Sequence, residues 1–448
     1  MINNKRFELK DSNILIDYFS ERRMILDEMG ITFFNIYRKY GNSQLAIDKI
    51  VQIFDISTNL AKKDYNEFLN NILFVNKCDG SILPYNNFFV LEPTSACPGN
   101  CIHCFHNNKK TYSWDETMIE NIINFLIKNN IKSVSITGGE VFSVHYSKEI
   151  IYLIDKLSRN NIKIASISTN GIFINEPLLK KIKKYVDLDT VFRFSIDAID
   201  FNKILEIRPG YTNKNLFNPI VQIDKYGYKS VYTTIISEQR KEDIIQILKF
   251  LVKLKNVQAW NIRPAVPTQN IHFSFMDDFS KVTDIYTSIL QDYSLNNYNF
   301  EIRMGNVLST FDLENPKSII LYNKGIHPCK SEENMMTLKA NGEITRCPIL
   351  PELSKKYIID NVDMNSIITK NIFSNLNTKK MNCNECTFYK ICGGGCRLYS
   401  IAYTDNVNGC DINSKLTINW ILKDTDDLIS SNWPDYYKYI KEAIANEN

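Results

Sequence analysis

The chain has no long apolar run and almost no net charge. No stretch of about 18 apolar residues occurs, the length a membrane span needs, so no span is expected. The first residues, MINNKRFELKDSN, hold no apolar core segment of the kind a secretory signal carries, and a cytoplasmic location is the expectation. Lys and Arg number 53 against 50 Asp and Glu, a formal charge of +3, too small to argue for a nucleic-acid partner. There is no internal repeat and no low-complexity tract. What is present is an ordinary globular composition, 44% hydrophobic and 23% charged. At 448 residues the chain is too long for one core, and roughly two to four domains are expected.

Eleven cysteines stand out against that background. Without an export signal their thiols stay reduced, which favours metal binding or catalysis over disulfides. Cys97, Cys101 and Cys104 lie in CPGNCIHCF with the spacing C-x3-C-x2-C. Three thiolates on one short loop can hold three irons of a cubane cluster, whose usual complement is four cysteines, leaving one iron open to a non-protein ligand. A zinc knuckle is the other reading, although zinc sites usually pair C-x2-C halves and close with a fourth ligand. Seven further cysteines, Cys329, Cys347, Cys383, Cys386, Cys392, Cys396 and Cys410, crowd one C-terminal stretch, and only Cys78 is left over.

Residues 1–82 read as a separate unit. NILIDYFS has a strand pattern, SQLAIDKIVQIF has helical periodicity behind a candidate N-cap at Ser43, and KDYNEFLNNILFV is a further amphipathic helix. A few strands followed by short helices suggest a winged-helix-like domain. Its 11 basic and 11 acidic residues argue against DNA and for a peptide. From residue 87 to about 264, strand candidates NFFVLEP, IKSVSIT, IKIASIS, TVFRFSI, KSVYTTII and VQAWNIR alternate with helical patterns. Six such units imply an α/β fold with a parallel sheet covered by helices, short of the eight that close a TIM barrel. Residues 265–326 read as a connector with one helix, FSKVTDIYTSILQDY. Residues 327–412 are the cysteine-rich part, and 413–448 a helical cap.

The first cysteine loop, followed by Gly138-Gly139-Glu140 at the end of the second strand, resembles the radical S-adenosylmethionine (SAM) enzymes. The resemblance implies a partial (β/α)6 TIM-like barrel over 83–264, with SAM on the open iron. It implies that Gly138, Gly139 and Glu140 meet the methionyl amino group, and that Ser168, Asn170, Ser195 and Asp197 lie at ribose and carboxylate contacts. Arg208 is placed to pair with the SAM carboxylate, Ile262 to pack on adenine, and His103 stands where an aromatic ring is usual. The later cysteines, with Gly342, resemble the SPASM domain, a C-terminal iron–sulfur domain. This implies two auxiliary 4Fe–4S clusters and three in all: Cys383, Cys386, Cys392 and Cys410 on the outer one, and Cys329, Cys347 and Cys396 on the inner one. The inner set lacks a fourth cysteine; a substrate thiolate or Cys78 would complete it. Met24 to Leu73 resembles the RiPP recognition element, which binds the leader of a ribosomally made precursor peptide.

Together these resemblances point to an oxidoreductase of the sactisynthase and ranthipeptide synthase type. It would make a thioether from a peptide Cys sulfur to an α- or β-carbon through a 5′-deoxyadenosyl radical. A flavodoxin or ferredoxin is the implied electron donor. Carbon–carbon crosslinking is the alternative. A sulfatase maturase or cofactor-biosynthesis enzyme ranks lower, because the Asp that would follow Cys347-Pro348 is absent.

Overall fold

The computed structural model describes residues 7–10, 14–17, 22–26, 28–73, 89–104, 111–129, 131–143, 145–211, 217–237, 239–266, 279–296, 298–305, 308–309, 320–322, 336–345, 347, 357–358, 386, 388, 392, 394–404 and 409–423. Cys78, Cys329 and Cys383 lie outside them. Among the described residues no helix is long and apolar enough to cross a membrane.

The N-terminal unit begins with an antiparallel meander, β1 (Phe7–Lys10), β2 (Ile14–Asp17) and β3 (Arg22–Ile25). Three helices follow: α1 (Glu28–Tyr40), α2 (Gln44–Phe54) and α3 (Thr58–Leu73). They bury Phe33, Phe34, Ile47, Ile50 and Tyr65 together. The Phe33 ring meets Phe54, Tyr65 and Phe68 edge-on, the arrangement the ring quadrupoles favour. The Tyr65 hydroxyl donates to the Gly41 carbonyl at 2.8 Å and so ties α3 to the α1–α2 turn. Ser43 sits at the N-cap of α2 in extended conformation, but its side chain makes no cap and its buried Oγ has no partner.

The main sheet is built on β4 (Phe89–Leu91), β5 (Ser133–Ile136), β6 (Lys163–Thr169), β7 (Val191–Ser195), β8 (Lys229–Ile236) and β9 (Val257–Pro264), all parallel and in chain order. Between them run α4 (Glu116–Lys128), α5 (Ser147–Arg159), α6 (Glu176–Ile182), α7 (Phe201–Ile207), α8 (Phe217–Lys225) and α9 (Lys241–Leu251). Local chemistry starts several of these helices. Asp115, Asn175 and Asp200 cap α4, α6 and α7 through their side chains, and the Asp243 carboxylate accepts the Arg240 N–H at the head of α9.

The sheet extends beyond the expected six strands. After α10 (Phe279–Asn296), β10 (Glu301–Met304) adds parallel to β9, and β11 (Leu308–Ser309) adds antiparallel at that edge. The stretch read as a connector therefore supplies sheet, and its β12 (Ile320–Tyr322) pairs with β3 as the fourth strand of the N-terminal sheet. On the other side, β13 (Met336–Leu338) runs parallel to β4, and β14 (Glu343–Thr345) and β15 (Tyr357–Ile358) continue antiparallel. The result is an eleven-stranded sheet with two distinct edges, open rather than closed on itself.

Two C-terminal helices, α11 (Arg397–Thr404) and α12 (Ile412–Lys423), dock against it. Tyr399 and Tyr403 donate to the carbonyls of Pro264 and Ala265, Asn413 donates to Gly305, and Trp420 packs on Tyr286 at 5.8 Å.

Side chains two apart on a strand share a face. Phe192, Phe194, Tyr232, Trp260, Ile302 and Met304 are buried in the main core. Arg193, Ser195, Arg263 and Arg303 alternate with them and are exposed on the opposite, concave face.

Candidate functional site

The cysteine loop follows β4, at the carboxyl end of the parallel strands, where open α/β sheets place their ligands. Its base is fixed by a 2.6 Å hydrogen bond between Thr94 Oγ1 and Ser113 Oγ and by Ala96 N–H donating to Thr94 Oγ1. Its tip rests on the chain after α7: Ile102 N–H donates to Ile207, and Gly210 N–H to Gly99. A Cβ on Gly210 would run into the Pro98 carbonyl, so the close approach depends on glycine there. Around Gly99 the sulfurs of Cys101 and Cys97 lie 3.2 and 3.4 Å from where a Cβ would stand. The Gly99 N–H donates to Cys97 Sγ at 3.4 Å.

Burial raises the Cys97 thiol and pushes the Cys101 thiol up to about 11, with Arg208 pulling Cys101 back down. These are resting values of bare thiols; a coordinating thiol is deprotonated outright. Among the described residues no three His, Cys, Asp or Glu side chains converge on a single metal-ion position. A single zinc needs such convergence, whereas each cysteine of a cubane holds its own iron. Three cysteine sulfurs on one loop, each able to hold its own iron, are a donor set that fits three corners of a cubane.

Gly138-Gly139-Glu140 follows β5 and packs directly on the cysteine loop. Gly139 N–H donates to Thr94 and Glu140 N–H to Ala96, each at 2.8 Å. The Glu140 side chain turns inward and is 0% exposed. It accepts from Thr169 Oγ1 at 2.7 Å, Asn170 N–H at 2.7 Å and Phe142 N–H at 3.0 Å. Burial pushes its carboxyl up, and these three donors oppose the rise. Glu140 thus ties β5 to β6, with three of its acceptor sites engaged inside the chain.

Asp197 and Arg208 form a second sealed group, 2% and 5% exposed. Arg208 Nε donates to Asp197 Oδ2 at 2.7 Å, a second guanidinium nitrogen donates to the same oxygen, and Nη1 donates to Tyr211 at 2.9 Å. Ile235 N–H donates to Asp197 Oδ1 at 3.0 Å, and His103 Nε2 stands 3.6 Å from Oδ2. Burial alone would raise the Asp197 carboxyl, but Arg208, His103 and the Ile235 N–H together hold it below the usual carboxylate range. Burial, with the Arg208 charge, lowers His103, against the opposite pull of Asp197. Arg208 is therefore spoken for by Asp197, and the pair braces the segment on which the cysteine loop sits.

Ser168 and Ser195 face the concave side, Ser168 opposite Arg193 in the register and Ser195 at the end of β7. Asn170 Oδ1 accepts the Ile172 N–H, while its buried Nδ2 has no partner; His103 Nδ1 is likewise buried and unpartnered. Such orphaned polar atoms at the mouth of the site fit a polar cofactor that completes them. Ile262 departs from its expected place. It is fully buried beside Trp260, on the helix-covered face, and the β9 residues on the concave face are Ala259, Asn261 and Arg263.

In the C-terminal region the Asp411 carboxylate accepts from Cys396 N–H at 2.7 Å and from Ser414 Oγ at 2.8 Å, linking Cys396 to the residue after Cys410. Gly394 N–H donates to Cys392 Sγ at 3.3 Å, and Thr345 Oγ1 donates to the Cys347 carbonyl at 3.2 Å. Cys386 is half-buried. Sequence reasoning missed Gly210 and Tyr211, although both lie within three residues of Arg208, and Asp411, which adjoins a cysteine.

Residues 91–251 match the model of the Radical SAM superfamily. Over 204 residues, 43% of this chain and 68% of the other, the sequence is 29% identical to an uncharacterized protein of Methanocaldococcus jannaschii. Over 342 residues, 69% of this chain and 87% of the other, it is 23% identical to a cysteine-type anaerobic sulfatase-maturating enzyme of Clostridium novyi. In fold it is similar to Streptococcus suis SuiB, with a TM-score of 0.56, 19% identity and coverage of 89% of this chain and 95% of SuiB. It is also similar to anSMEcpe solved with bound AdoMet, with a TM-score of 0.59, 16% identity and coverage of 78% and 98%. SuiB has been solved with S-adenosylmethionine and with its precursor peptide SuiA. The open parallel sheet, the cysteine loop after β4 and the family match together make residues 91–251 a radical SAM domain.

Proposed function

We propose that the chain is a radical SAM peptide maturase that joins a cysteine sulfur to the α- or β-carbon of another residue in a ribosomally made precursor peptide. The observation that carries this reading is the pairing, in one chain, of the three-cysteine loop with a separate meander-and-helix unit at the N-terminus. In that unit β1 is bonded on one side only among the described strands, and an extended leader would add along that edge.

In this reading residues 1–82 are a winged-helix-like leader-binding domain, 83–264 the radical SAM core, 265–326 the connector, 327–412 a SPASM-like domain and 413–448 a cap. Cys97, Cys101 and Cys104 would hold the first 4Fe–4S cluster. Cys383, Cys386, Cys392 and Cys410 would hold the outer auxiliary cluster, and Cys329, Cys347 and Cys396 an inner one with room for a substrate thiolate. Bound SAM, with an electron passed from a flavodoxin or ferredoxin through the first cluster, supplies the radical chemistry that removes hydrogen from carbon.

The chain's own side chains orient and exclude. Ser168, Ser195 and the Asn170 amide offer hydrogen bonds on the concave face. The backbone of Gly138 and Gly139 shapes the wall beside the cysteines. Glu140 and the Asp197–Arg208 pair hold the strand ends rigid, and His103 keeps an imidazole nitrogen at the mouth. A peptide seated over the trough would keep water from the reacting carbon.

Anaerobic reconstitution should give about twelve irons per chain. Replacing Cys97, Cys101 and Cys104 by Ala should remove about one cluster's worth and abolish SAM cleavage; cleavage at the wild-type rate would remove the first loop from the site. Coexpression with a Cys-containing precursor should yield a peptide that has lost its free thiol. A crosslinked peptide that keeps the thiol would shift the reading to carbon–carbon bond formation. Deleting residues 1–82 should spare uncoupled SAM cleavage and lower peptide modification. Equal loss of both would make that unit a structural cap.

A further inference from the structure

Three arginines occupy the concave face on the later strands of the sheet. Arg193 lies on β7, Arg263 on β9 and Arg303 on β10. The register sets their heights. Arg193 is level with Ser168, Val231, Ala259 and Glu301; Arg303 is level with Ser195, Thr233 and Asn261; and Arg263 stands one layer higher, beside Ile235. Between them β8 offers Val231, Thr233 and Ile235, none of which carries charge.

Among the described residues the acids nearby do not balance these cations. Glu301 is bonded to Arg303, and Glu92 is engaged by Lys339 at 2.6 Å on the other flank of the sheet. Arg193 and Arg263 have no hydrogen bond and no carboxylate partner among the described residues. Arg193 is open to solvent and still surrounded by protein, as a side chain in a trough is. Burial, with the like charges of Arg303 and Arg263, pulls its guanidinium below the usual range. Cations held together against their own repulsion in a half-desolvated trough make a ready site for an anion, and the planar guanidinium fork suits a carboxylate.

We propose that Arg193, Arg263 and Arg303 form a carboxylate-binding subsite in the trough, and that the peptide residue presented there is acidic. This rests on the peptide-maturase reading for the identity of the ligand, but the subsite itself does not. Its place on the sheet argues for substrate over SAM. From β4 to β7, β9 and β10 is three, five and six strand steps, about 14, 24 and 29 Å along the sheet at ~4.8 Å per step, so Arg263 and Arg303 lie beyond Ser168 and Ser195, the candidate SAM contacts on β6 and β7. A group anchored at the cysteine loop reaches Arg193, level with Ser168, before it reaches Arg263 or Arg303.

The test uses the full-length chain, reconstituted anaerobically at low salt. The arginine Nε–Hε resonances, assigned by single substitutions, would be followed by NMR while N-acetyl-aspartate methylamide or N-acetyl-asparagine methylamide is added. The acid should shift the resonances of Arg193, Arg263 and Arg303, and the amide should not. Arg193→Gln and Arg263→Gln should each weaken binding of the acid about tenfold or more, the scale of a hydrogen bond between charged groups. Arg193→Lys, which keeps the charge and loses the fork, should fall between. Lys249→Gln on the outer helix α9 should change nothing.

Equal response to acid and amide, or no response to either, would overturn the subsite whatever the enzyme makes. S-adenosylhomocysteine supplies the remaining arm. If Arg193→Gln and Arg263→Gln weaken its binding as much as that of the acid, the anion held is the cofactor's own carboxylate, and the substrate assignment falls. Unchanged binding of S-adenosylhomocysteine with lost binding of the acid supports it.

Discussion

The charged groups at the rim of the sheet and those in its trough are treated in opposite ways. At the rim, Asp197 and Arg208 are sealed from water and spend their hydrogen-bonding capacity on each other, on Tyr211 and on the backbone. In the trough, Arg193 on β7 and Arg263 on β9, with β8 between them, have no acid partner among the described residues. A buried pair with satisfied partners fixes geometry, and removing one member leaves the other stranded. An unpaired, solvent-reached cation adds little to folding and stays available to a ligand. The same residue type, arginine, is thus scaffold in one place and binding surface in the other.

Breaking the rim should have the larger effect. Asp197→Asn strands the Arg208 guanidinium and should cost about 3–5 kcal/mol, read as a fall in denaturation midpoint. The pH response follows from the sign. The folded Asp197 carboxyl is held below its unfolded value, so its contribution is present above the unfolded pKa, near 4 for an ordinary Asp, and is lost as pH falls through the folded one. Asp197→Asn should flatten that acid-side loss. An unchanged acid limb would place the stabilising carboxylate elsewhere.

Next comes Gly210→Ala, which pushes against the Pro98 carbonyl. It should cost roughly 1–3 kcal/mol, the scale of overpacking, and lower iron retention at the first loop more than at the C-terminal cysteines. Iron lost equally from all sites would argue against a local effect. Tyr65→Phe removes one hydrogen bond to Gly41 in the N-terminal unit and should cost about 1 kcal/mol, with peptide binding reduced only in proportion to unfolding. Smallest of all, Arg193→Gln should change stability by no more than about 0.5 kcal/mol in either direction. A gain at low salt, where repulsion from Arg263 and Arg303 is least screened, would sharpen the contrast with Asp197.

Much of this was legible before any fold was known. The strands β4 to β9 stand where apolar patterns such as KSVYTTII and VQAWNIR place them, and α10 covers the periodic run FSKVTDIYTSILQDY. The C-x3-C-x2-C loop and the Gly-Gly-Glu turn were readable as neighbours because both follow adjacent strands of one parallel sheet. Less was legible in the roles. Glu140 and Arg208 read as ligand contacts, and nothing in their own segments says that Thr169, Asn170 and Asp197 also engage them. Ile262 read as a site residue, yet the register turns it to the helix-covered side with Trp260.

The amino-acid order by itself determined what depends on near neighbours: the strand and helix periods, the caps at Asp115, Asn175 and Asp200, and a loop with three thiols within eight residues. Those features arise from contacts a few residues apart, so a short window contains their cause. The tertiary structure alone decided that Ile320–Tyr322 joins the N-terminal sheet, that β13 flanks β4, and that three arginines from β7, β9 and β10 share one trough. Pairing between distant segments is chosen by the packing of the whole chain, and a side chain's partners follow from that pairing.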